Sequence, residues 1–214
     1  MIYMTDDYIG RKPFYGIEHE EDLLDDPVEQ FGVWYRQAEE TDEIEANAMS
    51  ISTVGSDGYP RSRMVLMKKF NEQGMVFFTN YQSQKAQDIE NNDRVALLFW
   101  WEEQYRQVRI LGKASKLTRV QSQDYFSTRD FDSQLHAILS PQSENIESLD
   151  ALKMTINEFK AKKLNQELCC PEHWGGYMIE YRNFEFWQGG KDRLHRRISY
   201  AQKGDRWTKQ ILAP

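Results

Sequence analysis

The sequence predicts an α+β fold with a mostly antiparallel sheet closed into a barrel and flanked by helices. Apolar and polar residues alternate through many short segments, which is the period of half-buried strands. Turn signals such as Gly55-Ser-Asp-Gly58, Asn71-Glu-Gln-Gly74 and Lys203-Gly-Asp205 separate those segments. Helical periodicity is confined to a few stretches, and no Pro/Gly/Ser-rich linker, internal repeat or low-complexity tract divides the chain.

In chain order, residues 1–25 are rich in acids and short of aliphatics, as in Glu18-His-Glu-Glu-Asp22, and are expected to form a mobile N-terminal arm. Residues 26–214 are expected to form a single domain. Val28, Phe31, Trp34, Tyr35 and Ala38 share one helical face, with Asp26 as N-cap before Pro27. Residues 49–54, 61–70 and 75–79 read as three consecutive antiparallel strands, most simply a meander. A short helix is predicted over 83–91, strands over 94–101 and 105–113, and helices over 119–128 and 149–163. A second set of strands follows at 177–181, 183–187, 196–202 and 206–212.

Composition narrows the function. With 27 Lys and Arg against 34 Asp and Glu the net charge is −7, the wrong field for a general nucleic-acid or anionic-membrane binder. The longest apolar run, Val95 to Trp101, is far shorter than the roughly 20 residues that span a bilayer. No secretory signal is visible, and the only two cysteines are the neighbours Cys169 and Cys170, so a reducing cytoplasm is expected. The four histidines are scattered and no metal-ligand spacing or P-loop is present, so no metal is expected.

Four clusters stand out against the acidic background. Arg61-Ser-Arg-Met-Val-Leu-Met-Lys-Lys69 puts cations on both faces of an apolar strand. Thr79-Asn-Tyr-Gln-Ser-Gln-Lys85 leads into a helix with Lys85 in its first turn, where a cation opposes the dipole and an anion resolves the conflict. Arg193, His195 and Arg197 share a face if extended, and such a row repels itself unless an anion or a planar ring compensates. Tyr125, Arg129 and Ser133 fall at i, i+4, i+8 of a helix. Solvated lysines, a charged edge strand and ordinary capping explain each cluster separately; together they suggest phosphorylated, planar ligands with two phosphate pockets, and name no reaction.

At these residues the sequence resembles the pyridoxamine 5′-phosphate oxidase family, from about Asp26 to Pro214. The matching blocks include Arg63-Met-Val-Leu-Met-Lys68, Gly74-Met-Val-Phe-Phe-Thr-Asn80, Arg106-Gln-Val-Arg-Ile-Leu-Gly112, Trp174-Gly-Gly176, Glu185-Phe-Trp-Gln-Gly-Gly190, Arg193-Leu-His195 and the terminal Leu-Ala-Pro214. Each is weak alone, and their order and combined length are specific. The resemblance implies a split β-barrel homodimer with FMN at the subunit interface, oxidising pyridoxamine 5′-phosphate and pyridoxine 5′-phosphate to pyridoxal 5′-phosphate with O2. Carried over by position, Arg63, Met64, Val65, Leu66, Lys68, Phe78, Thr79, Gln84 and Lys85 would bind FMN, with Gln107, Gln142, Ser143, Trp187 and Arg197 completing its site. Lys68, Tyr125, Arg129 and Ser133 would hold the substrate phosphate, and Arg193, Leu194 and His195 would cover the pyridine ring. Arg197 and His195 would stand nearest the reacting carbon as catalytic residues, with no general base assigned.

Two departures accompany the resemblance. Gln84 stands where the family usually has Arg, which removes a charge from the FMN phosphate site, and Lys12-Pro-Phe-Tyr15 only approximates the family's N-terminal Arg-x-x-Tyr lid. The competing readings are a same-fold flavin oxidase of the phenazine-biosynthesis branch and a non-catalytic protein that binds and delivers pyridoxal phosphate.

Overall fold

The computed structural model describes residues 23–41, 45–163, 166–190, 194–204 and 206–214. The acidic stretch before Leu23, its Lys12–Tyr15 motif and Arg193 lie outside the described residues. The elements are α1 (Pro27–Glu39), β1 (Ala48–Val54), β2 (Pro60–Leu66), β3 (Lys69–Asn71), β4 (Gly74–Asn80), α2 (Gln84–Asn91), β5 (Arg94–Trp101), β6 (Arg106–Lys116), α3 (Arg119–Ser127), α4 (Phe131–Leu139), α5 (Leu149–Lys163), β7 (Trp174–Gln188), β8 (Arg196–Lys203) and β9 (Arg206–Leu212). The fold is α+β, and the β1–β2, β3–β4, β4–β7, β7–β8 and β8–β9 pairs are antiparallel.

The strand order is β2-β1-β5-β6-β7-β4-β3, with β8 on β7 and β9 on β8. This corrects the expected meander: β2 pairs with β1 and β3 with β4, but β4 lies against β7, five strands from β2 along the sheet path. The single strand expected over 61–70 breaks at Met67 and Lys68, where Met67 N–H turns to Asn47 O and Lys68 N–H to Val76 O. Changing carbonyl partners at consecutive residues moves the chain from one neighbour strand to another. Conversely, the two strands expected over 177–187 are one 15-residue strand, β7.

The chain forms two compact units. The first comprises residues up to Ala46, Leu98–Ile110 and Asn183–Pro214. In it α1 begins as expected, with Asp26 accepting from Val28 N and Glu29 N. Its buried stripe, Phe31, Trp34 and Ala38, packs aromatic on aromatic: Phe31 meets Phe99 and Trp101, and Trp34 meets Phe186 edge-on at 5.1 Å.

The second unit comprises Asn47–Leu97 and Leu111–Arg182. Met49 and Ile51 of β1, Met75 and Phe77 of β4 and Tyr177 and Ile179 of β7 alternate inward and are buried. A separate apolar cluster of Phe126, Leu135, Ala137, Leu168 and Trp174 anchors α3 and α4. Gly175 and Gly176 permit close approach here: a Cβ on Gly175 would fall 2.3 Å from the Tyr81 hydroxyl, and one on Gly176 2.6 Å from Leu117. Among the described residues no helix is long and apolar enough to cross a membrane, and no group of three or more His, Cys, Asp or Glu is placed to hold a metal.

Candidate active site

Strand β4 and the turn after it build the first half of the site. Asn80 Oδ1 accepts from Gln82 N–H and Ser83 Oγ donates to Asn80 O, which fixes the turn into α2. Ser83 sits at the N-cap, yet its side chain makes no capping bond. Lys85 in the first turn is buried, and its Nζ donates to Thr79 Oγ1 at 3.1 Å, Ser83 Oγ at 3.1 Å and Gln142 Oε1 at 3.0 Å. All three acceptors are neutral. Burial first, and the neighbouring Arg63 charge second, lower the Lys85 pKa from its ordinary value to about 8. A buried ammonium with no carboxylate among its partners is a site built for an anion.

The second half comes from α3 and α4. The one helical run expected through Tyr125, Arg129 and Ser133 is interrupted: Thr128 caps α3, and the Asp130 side chain accepts from Ser133 N–H at 2.8 Å to start α4. All three side chains nevertheless reach one cavity. It has a volume of about 600 Å³ and is lined by Met64, Val65, Leu66 and Lys68 from β2 and the segment after it, Phe78, Thr79 and Lys85, and Tyr125, Arg129, Ser133 and Gln142. That volume suits a cofactor or a drug-sized ligand.

Phe78, Tyr125 and Trp174 lie nearly parallel along its wall, with Phe78–Tyr125 centroids 3.8 Å apart and Phe78–Trp174 centroids 5.4 Å apart. The Arg129 guanidinium lies 4.9 Å over the Trp174 ring, and its Nη2 donates to Ser133 O. Arg129 Nε is buried without a hydrogen-bond partner among the described residues, a second donor waiting for an acceptor. Burial also raises the pKa of the Tyr125 hydroxyl, against the Arg129 charge, so it remains a proton donor at neutral pH. Asp130 and His136, which the sequence reading did not single out, line the same cavity.

Three predicted residues of this unit sit differently. Arg63 does not line the cavity; it donates to Thr53 Oγ1 at 2.7 Å and lies 3.7 Å from Asp88, a buried carboxylate that also accepts from Thr53 Oγ1 and Gln84 Nε2. Gln84 therefore turns its amide to Asp88, one helical turn on. Ser143 is exposed, outside the cavity lining, with φ 75°. Asp88 was legible only as an acid at i+3 from Lys85 and i+4 from Gln84.

The remaining predicted residues belong to the first unit. Register pairs Trp187 with Arg197 across β7 and β8, so Glu185, Trp187 and Arg197 share a sheet face. Glu185 Oε1 accepts from Arg197 Nε at 2.9 Å, and its Oε2 accepts from Arg109 Nη2. Gln107, two residues from Arg109 on β6, faces the same way. His195 stacks at a tilt on Trp187, with centroids 4.8 Å apart, and its Nδ1 accepts from Gly190 N–H. Of the row expected over Arg193, His195 and Arg197, Arg197 thus meets the Glu185 carboxylate and His195 the Trp187 ring, while Arg193 lies outside the described residues. Leu194 is exposed.

Comparisons with known proteins agree with this geometry. The family model described as pyridoxamine 5′-phosphate oxidase matches residues 37–163, and that of the pyridoxine 5′-phosphate oxidase C-terminal dimerisation region matches 174–214. The chain is 47% identical over 190 residues to pyridoxine/pyridoxamine 5′-phosphate oxidase 2 of Hydrogenovibrio crunogenus, covering 89% of each protein. It is 42% identical over 207 residues to the pyridoxine/pyridoxamine 5′-phosphate oxidase of Shewanella sediminis, covering 96% of this chain and 97% of the relative. Among solved structures, PhzG of Burkholderia lata 383 in complex with tetrahydrophenazine-1-carboxylic acid superposes with a TM-score of 0.87 at 26% identity, covering 94% of this chain and 98% of that one. A pyridoxamine 5′-phosphate oxidase-related, FMN-binding protein of Nostoc punctiforme shares the fold, with a TM-score of 0.71 at 13% identity over 88% of this chain and 98% of that one. The split-barrel architecture, the two family models and relatives of this identity over nearly the whole length leave one assignment: the chain belongs to the pyridoxamine 5′-phosphate oxidase family.

Proposed function

We propose that the protein is an FMN-dependent oxidase that converts pyridoxamine 5′-phosphate and pyridoxine 5′-phosphate to pyridoxal 5′-phosphate. The observation that carries this reading is one cavity holding two cationic subsites, Lys85 with Thr79 and Gln142, and Lys68 with Tyr125, Arg129 and Ser133. One flavin phosphate and one substrate phosphate account for both. The unpartnered Arg129 Nε and the carboxylate-free shell of Lys85 fit such ligands.

When bound, FMN would supply the two-electron redox chemistry, accepting a hydride equivalent from the substrate C4′ and passing the electrons to O2 as H2O2, and hydrolysis would release ammonia from the amine substrate. The chain's own residues bind and orient. Lys85 would hold the flavin phosphate, with the Arg63 charge behind it outside the cavity lining, while Met64, Val65, Leu66 and Phe78 would exclude water beside the ring. Lys68, Tyr125, Arg129 and Ser133 fix the substrate phosphate, so that position rather than proton transfer supplies the acceleration. Gln107, Trp187 and Arg197 complete the flavin contacts, and His195 with Arg193 covers the pyridine. The assembly is a homodimer with FMN at the interface, in keeping with the match to a dimerisation region.

The phenazine-type alternative draws on the PhzG superposition. Lys68, Tyr125, Arg129 and Ser133 around one cavity favour a phosphorylated substrate instead. The test is Lys68→Ala. We expect KM for pyridoxine 5′-phosphate to rise at least tenfold with FMN still bound, since a charged hydrogen bond is worth about 1.5–3 kcal/mol. An unchanged KM contradicts the reading.

A further inference from the structure

We propose that Glu185 is a positioning residue that sets the Arg197 guanidinium for flavin binding. The proposal rests on Arg197 being a flavin contact and adds the residue that aims it.

The Glu185 side chain is 4% exposed, and a carboxylate so placed requires cationic partners. It divides its oxygens between two arginines. Oε1 accepts from Arg197 Nε at 2.9 Å and lies 2.9 Å from Nη2, while Oε2 faces Arg109 Nη2. On its other side Arg197 donates from Nη1 to Ala213 O at 2.9 Å. A guanidinium has five N–H donors in a rigid plane. Glu185 and the Ala213 carbonyl engage Nε, Nη2 and Nη1, and the donors left over point in directions that those contacts fix. An arginine at a partly exposed strand position otherwise samples many rotamers. Here a buried acid on the neighbouring strand selects one, on the sheet face that also carries Trp187 and Gln107. Arg109, nearly half exposed, supplies a second positive charge on the other oxygen of Glu185 without drawing Arg197 away.

The test uses Glu185→Gln, Glu185→Asp, Arg197→Ala and the double variant Glu185→Gln/Arg197→Ala in the full chain. The readouts are FMN affinity of the apoprotein by flavin fluorescence quenching, the visible spectrum of bound flavin, and Tm. We expect Glu185→Gln to weaken FMN about tenfold and shift the visible band, Glu185→Asp to recover part of that loss, and Glu185→Gln to add less than twofold in the Arg197→Ala background. A merely structural acid would lower Tm alone, or give losses that multiply in the double variant; either result overturns the proposal. Impaired Arg197→Ala beside a wild-type Glu185→Gln also overturns it, while leaving the flavin role of Arg197 standing. If Arg197→Ala itself binds FMN with wild-type affinity and spectrum, the premise fails. Should Glu185→Gln lose its cooperative melt, Glu185→Asp carries the same comparison.

Discussion

At the scale of single residues, the chemistry turns on charges held out of water. Lys85 titrates near 8 because burial, helped by Arg63, disfavours its ammonium. An unfolded chain keeps that proton until about 10.4. Between the two values the unfolded state therefore binds more protons, so the Lys85 contribution to apoprotein stability is least favourable below pH 8 and is regained as pH rises toward 10.4. A phosphate needs the opposite form. FMN affinity is expected to fall as pH rises through about 8, by up to about tenfold per pH unit for one linked proton, and Lys85→Met should flatten the dependence; fluorescence titrations across that range check both. Gln84 gives a prediction of opposite sign. Its amide serves Asp88, so Gln84→Arg places a cation beside that buried acid and the phosphate site, and FMN should bind more tightly by up to about tenfold. Sequence spacing singled out Lys85, Lys68, Tyr125, Arg129 and Ser133, which line one cavity, because cations and hydroxyls in an acidic chain stand out. It did not reveal Asp88 or Glu185, since an acid that holds an arginine looks like any surface acid until the pairing strand is known.

At the scale of elements, the break between α3 and α4 shapes the substrate subsite. Thr128 N and Arg129 N still reach back to Tyr125 O and Phe126 O, and the Asp130 carboxylate then takes Ser133 N–H to restart the helix. The hydrogen bonds that the Asp130 carboxylate accepts from the Ser133 side chain and backbone N–H lower its pKa. Asp130→Ala is expected to lower Tm by removing an N-cap, and to raise KM for the phosphorylated substrate by loosening Ser133; thermal melts and steady-state kinetics read the two effects. A run of i, i+4, i+8 residues conceals this break, because a cap-forming Asp reads equally well as a solvated helical residue. Strand periods were legible where one face was buried, as in β1 and β6. The β2/β3 break and the continuity of β7 were not, because backbone partners, rather than side-chain alternation, decide where a ladder changes neighbour.

At the scale of the whole molecule, the α+β class and the antiparallel character followed from alternation and turn residues. The strand order did not, because hairpin signals specify adjacent pairs while the β4–β7 pairing joins segments about a hundred residues apart. Lys85 and Arg129 belong to one compact unit, and Trp187, His195 and Arg197 to the other. The proposed homodimer should give a mass of twice 25.4 kDa by light scattering. The most direct test of the whole account is anaerobic mixing of the FMN-reconstituted protein with pyridoxamine 5′-phosphate, followed by air. The account predicts bleaching of the visible flavin band, its return with O2, and stoichiometric pyridoxal 5′-phosphate; a flavin that binds and stays oxidised would contradict it.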